Sequence, residues 1–190
     1  MVRLFVAVEI DDAVRAAAAR TIDELRHRLE RYGRAKWISP ANMHLTVRFI
    51  GHVADDRAPL VLDALRSETL VSAFDLTTGH CGAFPPAGPP RVVWIAVDEG
   101  ASHLKALHEE FSARLLPLGF EPERRPYSAH LTLARVQETK RGSTADIRRA
   151  IAEARPPAVR WRVSSATVFE SRLSPKGAAY HPLLRIPLRP

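Results

Sequence analysis

The chain has 190 residues, of which 46% are hydrophobic and 26% charged, so its composition is that of a folded globular protein and not of a disordered one. It contains 28 lysines and arginines against 21 aspartates and glutamates, and this basic excess favours a polyanionic partner such as RNA, although an arginine-rich genome would produce the same bias. No apolar run approaches the roughly 20 residues of a transmembrane helix, and the single cysteine, Cys81, excludes an intramolecular disulfide and a thiolate-rich zinc site.

The first half of the chain alternates strand patterns with helix patterns. Its apolar N-terminus is followed at once by Glu9, Asp11 and Asp12 and has no small-residue cleavage site, so we interpret it as a strand and not as a signal peptide. A cytoplasmic location is the default expectation. In chain order the patterns predict a strand over 2–8, a helix over 11–31, an extended piece over 36–38, a strand over 44–50, a helix over 55–67, and strands over 74–84 and 91–97 joined by a proline-rich turn.

The second half repeats this order of elements. The fold class is therefore predicted to be α+β: a duplication within one domain, residues 1–190, whose two lobes carry mainly antiparallel sheets flanked by helices and face each other across a central cleft. A single α+β domain with a chance resemblance between its halves is the alternative. The patterns predict a helix over 102–116, a charged approach over 121–126, a strand over 127–136, a helix over 144–154, one long strand over 159–171 and a last strand over 180–188.

Two matching tetrapeptides occur at equivalent places in the two halves. Since side chains alternate along a strand, the histidine and the threonine of each motif share one face, while the leucine between them faces the core. One such motif is usually structural, whereas two equivalent copies indicate a shared ligand. The motifs are His44-Leu45-Thr46-Val47 and His130-Leu131-Thr132-Leu133.

Two histidines on facing lobes suit the opening of a cyclic phosphodiester. The reaction needs a base that takes a proton from water and an acid that protonates the leaving oxygen, on opposite sides of phosphorus. Imidazole can do either near neutral pH because its ordinary pKa is about 6.5, and threonine hydroxyls can donate hydrogen bonds to the phosphoryl oxygens. This scheme requires neither a metal nor another cofactor, and it does not decide which histidine is the acid.

Further segments accompany the motifs and are distributed over nearly the whole chain. They are 3–8, 36–38, 125–127 and 169–171, the last followed by Gly177 and Tyr180. With them the chain resembles the 2H phosphoesterases, named for two His-x-Thr-x motifs, and within that family the bacterial and archaeal RNA 2′,3′-cyclic phosphodiesterases, formerly called 2′-5′ RNA ligases. Ala129 stands where the family commonly has proline, and Val47 where it commonly has leucine, but neither change removes a catalytic group.

The resemblance implies a bilobal fold with a V-shaped cleft and hydrolysis of a terminal 2′,3′-cyclic phosphate on RNA to a 2′-phosphate. By the usual family assignment His44 is the proton donor and His130 the proton acceptor, and we expect Thr46 and Thr132 to bind the phosphate. The family also joins RNA ends through a 2′-5′ linkage, the reverse of transesterification at the same site. The expected partner is thus RNA with a cyclic phosphate end, with no membrane, no metal and a monomeric chain.

Two arginines near the motifs are candidate substrate contacts. Arg135 closes the second motif and its guanidinium suits a phosphate, but strict alternation puts it on the face away from His130 unless a strand end or a bulge redirects it. Arg48 has the right parity to flank the first motif and add positive potential there, and a solvated sheet residue is the alternative.

Three aromatic residues, Trp37, Phe84 and Tyr127, could stack on a base at the mouth of the cleft, although each suits a packing role better. The six histidines outside the motifs show no partner pattern, and we interpret them as surface or structural residues. Cys81 is expected to be a small buried hydrophobe.

Three other functions are compatible with the motifs. The first is a phosphodiesterase of the same family that acts on a small cyclic nucleotide or a nucleotide-sugar cyclic phosphate. The second is a binding module that holds RNA ends without turnover, which the presence of both histidines and both threonines opposes. The third, a metal hydrolase, is disfavoured because no carboxylate accompanies either motif.

Overall fold

Nine β-strands and four α-helices form within residues 1–174 and 177–190, the part of the chain that the structure, a computed structural model, describes. No helix of that part combines the length and the apolar character that crossing a membrane requires. The strands are Val2–Glu9 (β1), Gly33–Trp37 (β2), His44–Val53 (β3), Phe74–Phe84 (β4), Val92–Glu99 (β5), His130–Thr139 (β6), Arg160–Val163 (β7), Ser165–Ser174 (β8) and Gly177–Pro187 (β9). The helices are Asp12–Leu29 (α1), Ala58–Leu65 (α2), Ala101–Leu115 (α3) and Thr144–Glu153 (α4).

The strands form one sheet with the two motif strands at its centre. Its order is β7-β4-β5-β6-β3-β1-β8-β9, every pairing between these strands is antiparallel, and β2 pairs with β6 off this path. The α+β class with mainly antiparallel strands is thus confirmed. We expected two sheets, and the structure instead has one, in which the two motif strands β3 and β6 pair at Leu45 and Leu131.

On either side of the central β6–β3 pair, the sheet contains strands from both halves of the chain. β1 lies between β3 and β8, and β5 lies between β4 and β6. The helices cross over in the same way, since α1 packs against α4, and α3 packs against α2 and β3. The repeated order is therefore β1-α1-β3-α2-β4 followed by β5-α3-β6-α4-β8. The last strand of each unit pairs with the first strand of the other unit: β4 with β5, and β8 with β1.

Helix α1 illustrates how local sequence positions these elements. The Asp11 side chain accepts a hydrogen bond from the Val14 backbone N–H at 2.8 Å, which satisfies one of the free donors of the first turn. Residues at helical spacing, among them Val14, Ile22 and Leu25, are buried against the sheet side, while the opposite face is solvated. The helix thus covers one face of the sheet and leaves the other for the motif side chains.

The predicted strand over 159–171 is wrong in one respect, because it is two strands that pair in different places. Residues of β7 pair with β4, whereas β8 pairs with β1 on the other side of the sheet, and the chain changes partner at Ser164. The second motif strand also starts later than predicted, at His130, so Tyr127 lies in the approach and not in the strand.

Candidate active site

Both motifs present their histidine and threonine on the same face of the sheet. Leu45 and Leu131 are 1% and 2% exposed and point to the core. The residues on either side of each leucine are half-buried, namely His44, Thr46, His130 and Thr132. Because Leu45 lies opposite Leu131 in an antiparallel pair, the register puts His44 across from Thr132 and Thr46 across from His130. The two histidines are then diagonal neighbours, roughly 7–8 Å apart at the sheet in an ideal ladder. Within the described residues β3 and β6 pair only here, and beyond this pair β2 takes the place of β3 beside β6, which leaves room for a ligand.

Each histidine is fixed by a backbone carbonyl two residues before it. His44 Nδ1 lies 2.9 Å from the carbonyl oxygen of Asn42, and His130 Nδ1 lies 2.7 Å from that of Ser128. Since a carbonyl oxygen can only accept, Nδ1 of both rings must carry the proton. Nε2 is therefore the atom that faces a ligand, as a base when the ring is neutral and as an acid when it is protonated.

Burial lowers the pKa of both histidines below the ordinary value, and the hydrogen bond to the carbonyl opposes that shift in each. For His130, the positive charge of Arg135 lowers the pKa as well. The repulsion from Arg135 thus favours the neutral, proton-accepting form of His130, whereas no neighbouring charge is among the causes of the shift of the pKa of His44.

Aromatic side chains wall the two histidines. Around His44 the ring centroids of Phe5 and Tyr180 lie at 4.8 and 5.0 Å. On the other side the ring of Phe84 meets His130 edge-on at 5.0 Å. Phe84 thus lies against the histidine itself, and the rings account for the partial desolvation of both imidazoles.

The indole of Trp94 completes the wall on the His130 side, with its ring centroid 6.4 Å from that of the imidazole. It lies close over Gly82 of the neighbouring strand, where a Cβ atom would come within 2.2 Å of the indole. Only glycine leaves space for the ring at this position, so Gly82 is part of what places Trp94 beside His130.

A β-bulge follows the threonine in each motif strand and reverses the alternation. The residue without a partner is Val47 in β3 and Leu133 in β6. From the next residue onward the two faces are exchanged. Phe49 and Arg135, each five residues after its histidine, therefore turn to the site face. Of the two features that could redirect Arg135, a strand end or a bulge, the bulge is present.

The prediction that Arg48 flanks the site is wrong for the same reason. The bulge turns its side chain to the core side, where it is only 3% exposed. The guanidinium donates to the carbonyl oxygens of Glu121 at 2.5 Å and Phe49 at 3.2 Å, and it lies 3.7 Å from a carboxylate oxygen of Glu123. Arg48 thus ties β3 to the segment that leads into the second motif.

Tyr127 belongs to the same buried network. Its hydroxyl donates to the carbonyl oxygen of Thr46 at 3.1 Å, and its ring stacks on that of His108 at 4.7 Å. His108 in turn donates from Nδ1 to the carbonyl oxygen of the bulge residue Val47 at 2.8 Å. Burial, and secondarily the charge of Glu123, raises the pKa of Tyr127, so its hydroxyl stays protonated. Tyr127 has a packing role, and His108 is structural, one of the two roles expected for it. Which residues it contacts could not be predicted, because α3 gives no sign of what it packs on.

A cleft of about 670 Å³ opens beside the first motif, where β3 leaves β6 and β2 takes its place. His44 and Thr46 line it from one side, and Lys36 and Arg135 line it from the other. No Asp or Glu is among its described lining residues. His130 and Thr132 are not lining residues either, and they are brought to the same face by the register of the Leu45–Leu131 pair.

Trp37 borders this cleft and also a second cavity of about 280 Å³ on the helix side of the sheet. The guanidinium of Arg26 from α1 lies 5.7 Å from the indole centroid on that helix side. This contact favours packing over base stacking for Trp37.

The threonine hydroxyls are available to a ligand, because neither Thr46 nor Thr132 has a hydroxyl hydrogen-bond partner within residues 1–174 and 177–190. The same residues contain no group of three or more histidine, cysteine, aspartate or glutamate side chains placed to hold a metal ion. Cys81 is buried, as expected, and burial raises the pKa of its thiol to about 12, so it is not a nucleophile near neutral pH.

Comparison with known proteins places this geometry in a wider group. The family model of the 2′-5′ RNA ligase superfamily matches residues 13–174. An Archaeoglobus fulgidus protein named RNA 2′,3′-cyclic phosphodiesterase is 34% identical over 181 residues, covering 95% of this chain and 97% of that protein. A Methanothermobacter thermautotrophicus protein of the same name is 31% identical over 183 residues, covering 94% and 95%.

Solved structures give the same picture at the level of the fold. The protein TT0787 of Thermus thermophilus superposes with a TM-score of 0.77 at 26% identity and covers 98% of both chains. Escherichia coli LigT in its apo form superposes with a TM-score of 0.74 at 24% identity, covering 100% of this chain and 98% of the other.

Proposed function

Because the chain belongs to the 2′-5′ RNA ligase superfamily, we propose that it hydrolyses the 2′,3′-cyclic phosphate at an RNA end and leaves a 2′-phosphate. The relatives that span its length carry the name RNA 2′,3′-cyclic phosphodiesterase. The observation that carries the proposal is the pair of histidines on one sheet face, each fixed at Nδ1 by a carbonyl, which leaves Nε2 of each ring for a ligand.

In the proposed reaction a water molecule attacks phosphorus and the 3′-oxygen leaves. His130 takes the proton of the attacking water on Nε2, and His44 gives its Nε2 proton to the departing 3′-oxygen. The bond from phosphorus to the water oxygen forms as the bond to the 3′-oxygen breaks. The products are a 2′-phosphate and a 3′-hydroxyl, and the two histidines end with their protonation states exchanged.

The surroundings of the two rings support this division of roles. Repulsion from Arg135 favours the neutral form of His130, which a base must have. Burial lowers the pKa of His44 in the free protein, but an anionic phosphate bound beside the ring raises that pKa and supplies the protonated acid. His44 therefore becomes the protonated acid when the substrate binds.

Thr46 and Thr132 are proposed to donate their hydroxyls to the phosphoryl oxygens that do not react. Each stands across the sheet from the histidine of the other motif. Negative charge on these oxygens grows as water adds, so donors that are already oriented stabilise the transition state more than the ground state.

We extend the proposal to one copy of the chain acting without a metal, since one chain supplies both motifs. Light scattering at micromolar concentration would give the mass of a monomer, and a dimer mass would contradict that part alone. The cytoplasmic location stays a prediction. Joining of RNA ends through a 2′-5′ linkage would use the same groups in the same roles, with a 5′-hydroxyl in place of water as the nucleophile and the 3′-oxygen again leaving.

The decisive experiment incubates the purified protein, with excess chelator, with a short RNA that ends in a 2′,3′-cyclic phosphate, and determines the end group. We expect complete conversion to a 2′-phosphate. A 3′-phosphate would contradict the assigned leaving group. Loss of turnover in chelator, with return on adding a metal, would contradict the metal-free scheme. Turnover of small cyclic nucleotides but not of RNA would favour the alternative substrate, and binding without turnover would favour the RNA-end module.

A further inference from the structure

Two basic residues, Lys36 of β2 and Arg135 of β6, face each other across a strand pair at the wall of the cleft. They are register partners in the antiparallel ladder, so both side chains leave the same face of the sheet. Both are exposed and both line the cleft. Like charges directly opposite each other in a ladder destabilise it, so a negative charge between them would be stabilising.

The protein itself does not supply that charge. Among the described residues neither Lys36 nor Arg135 forms an ion pair or a side-chain hydrogen bond. The other lysines for which contacts are described have partners: Lys105 pairs with Glu109 at 3.5 Å, and Lys140 donates to the carbonyl oxygen of Arg31 at 2.8 Å. The cleft wall thus holds two neighbouring cations and no described carboxylate.

The position of the pair relative to the motifs fits a second phosphate of the substrate. Arg135 lies three residues after Thr132 on the same strand, but the bulge at Leu133 shortens this to two steps of the ladder, about 7 Å, and its charge reaches His130. Arginine and lysine side chains are long enough to cover part of that distance. Their charged ends are then within reach of a phosphate one nucleotide away from the one that reacts.

We propose that Lys36 and Arg135 form an anion subsite for the phosphate on the 5′ side of the terminal nucleoside. The subsite makes the protein select RNA ends and 5′-phosphorylated nucleotides over a bare nucleoside 2′,3′-cyclic phosphate. This inference rests on the proposed function, because it assumes that the reacting phosphate sits between the two motifs. Lys36 is the residue that the motifs do not indicate. Arg135 follows the second motif on its own strand, whereas Lys36 lies on β2, which carries no motif.

The test compares two dinucleotides that both end in a 2′,3′-cyclic phosphate, one joined by an ordinary phosphodiester and one by an uncharged methylphosphonate. For the unchanged protein we expect kcat/KM to be about tenfold lower on the methylphosphonate. Lys36→Gln should lose most of this advantage on the phosphodiester and be nearly indifferent to the linkage. It should also make the salt dependence of log kcat/KM less steep by about 0.7, the value for one phosphate contact to a single strand.

Lys105→Gln, an exposed lysine on α3, is the matched control and should keep the full preference for the charged linkage. Equal turnover of both linkages by the unchanged protein would overturn the subsite. So would a Lys36→Gln variant that keeps the full preference. A mononucleotide cyclic phosphate should likewise be turned over faster with a 5′-phosphate than without one, and equal rates would overturn the claim for mononucleotides. Failure of the protein to turn over any cyclic phosphate would instead contradict the proposed function.

Discussion

The surroundings of His44 and His130 are alike in the backbone and different in the side chains. Both rings donate from Nδ1 to the carbonyl two residues earlier, and both strands bulge after the threonine. Five residues on, however, β3 carries Phe49 and β6 carries Arg135. The two motifs share the geometry that orients an imidazole and differ in the charge beside it, which is what the proposed division of acid and base between the two histidines requires.

The largest expected effect is the loss of either histidine. His44→Ala and His130→Ala should each lower kcat by about 10²–10⁴, since each removes one general acid or base. The double variant should be little worse than either single one, because the two act as a unit. Circular dichroism and thermal melting serve as the control for folding. Activity of either variant at the parent rate would contradict the two-histidine scheme.

A modified substrate separates the acid from the base. In a cyclic phosphate whose 3′-oxygen is replaced by sulfur, the leaving thiolate needs no protonation, because a thiol has a much lower pKa than an alcohol. We therefore expect this substrate to restore much of the rate of His44→Ala and little of that of His130→Ala. Rescue of the second variant alone would reverse the assignment.

The threonines test whether the two motifs contribute equally to charge stabilisation. Thr46→Val and Thr132→Val keep the shape and remove the hydroxyl, and each should lower kcat by up to about 10²-fold with little change in KM. Thr139→Val, farther along β6, is the matched control and should match the parent enzyme. If KM rises while kcat is unchanged, the hydroxyls bind the ground state and the transition state equally.

Tyr127→Phe removes a hydrogen bond to the backbone of the first motif that has no counterpart at the second motif among residues 1–174 and 177–190. The variant loses the hydrogen bond to the Thr46 carbonyl, worth about 1 kcal/mol, and frees the first motif to move relative to the second. We expect kcat to fall about two- to tenfold while KM stays close to the parent value, together with a small drop in melting temperature. Unchanged kcat with the same drop in melting temperature would show that the bond is structural only.

Arg135→Gln should make the two histidines more alike. Removing its charge raises the pKa of His130 toward the ordinary value. A base must be neutral, and a higher pKa keeps it protonated up to a higher pH. The acidic limb of the kcat/KM profile therefore moves to higher pH. Phe49→Leu, at the equivalent place on β3, should leave that limb where it is. A shift to lower pH on removing Arg135 would contradict the assignment of His130 as the base.

The motifs could be predicted from sequence because strand alternation is a local property. It correctly placed His44 and Thr46 on one face with Leu45 on the other. Alternation failed at Arg48, just past the motif, because a bulge depends on how the neighbouring strand pairs and leaves no mark in a single strand's pattern. The equivalent bulge in β6 turns Arg135 to the site face, where strict alternation would not have placed it.

Other features depend on which strands become neighbours. The break at Ser164 between β7 and β8 follows from two different pairing partners, β4 and β1, in a segment whose own pattern is continuous. The contact of His108 with the bulge joins residues 61 positions apart in the chain. Neither follows from propensity, since both are set by the interleaving of the two repeats.

That interleaving has a consequence for how the molecule comes into being. β1 is made long before β8, one of its two neighbours, and the ring of Phe5 packs on Phe169 and Tyr180, which are also made much later. Contacts this distant in sequence close slowly. We therefore expect a growing chain to leave the ribosome with β1 as an open strand edge, exposed to pairing with other chains, and to be without a finished wall around His44 until its final strands emerge.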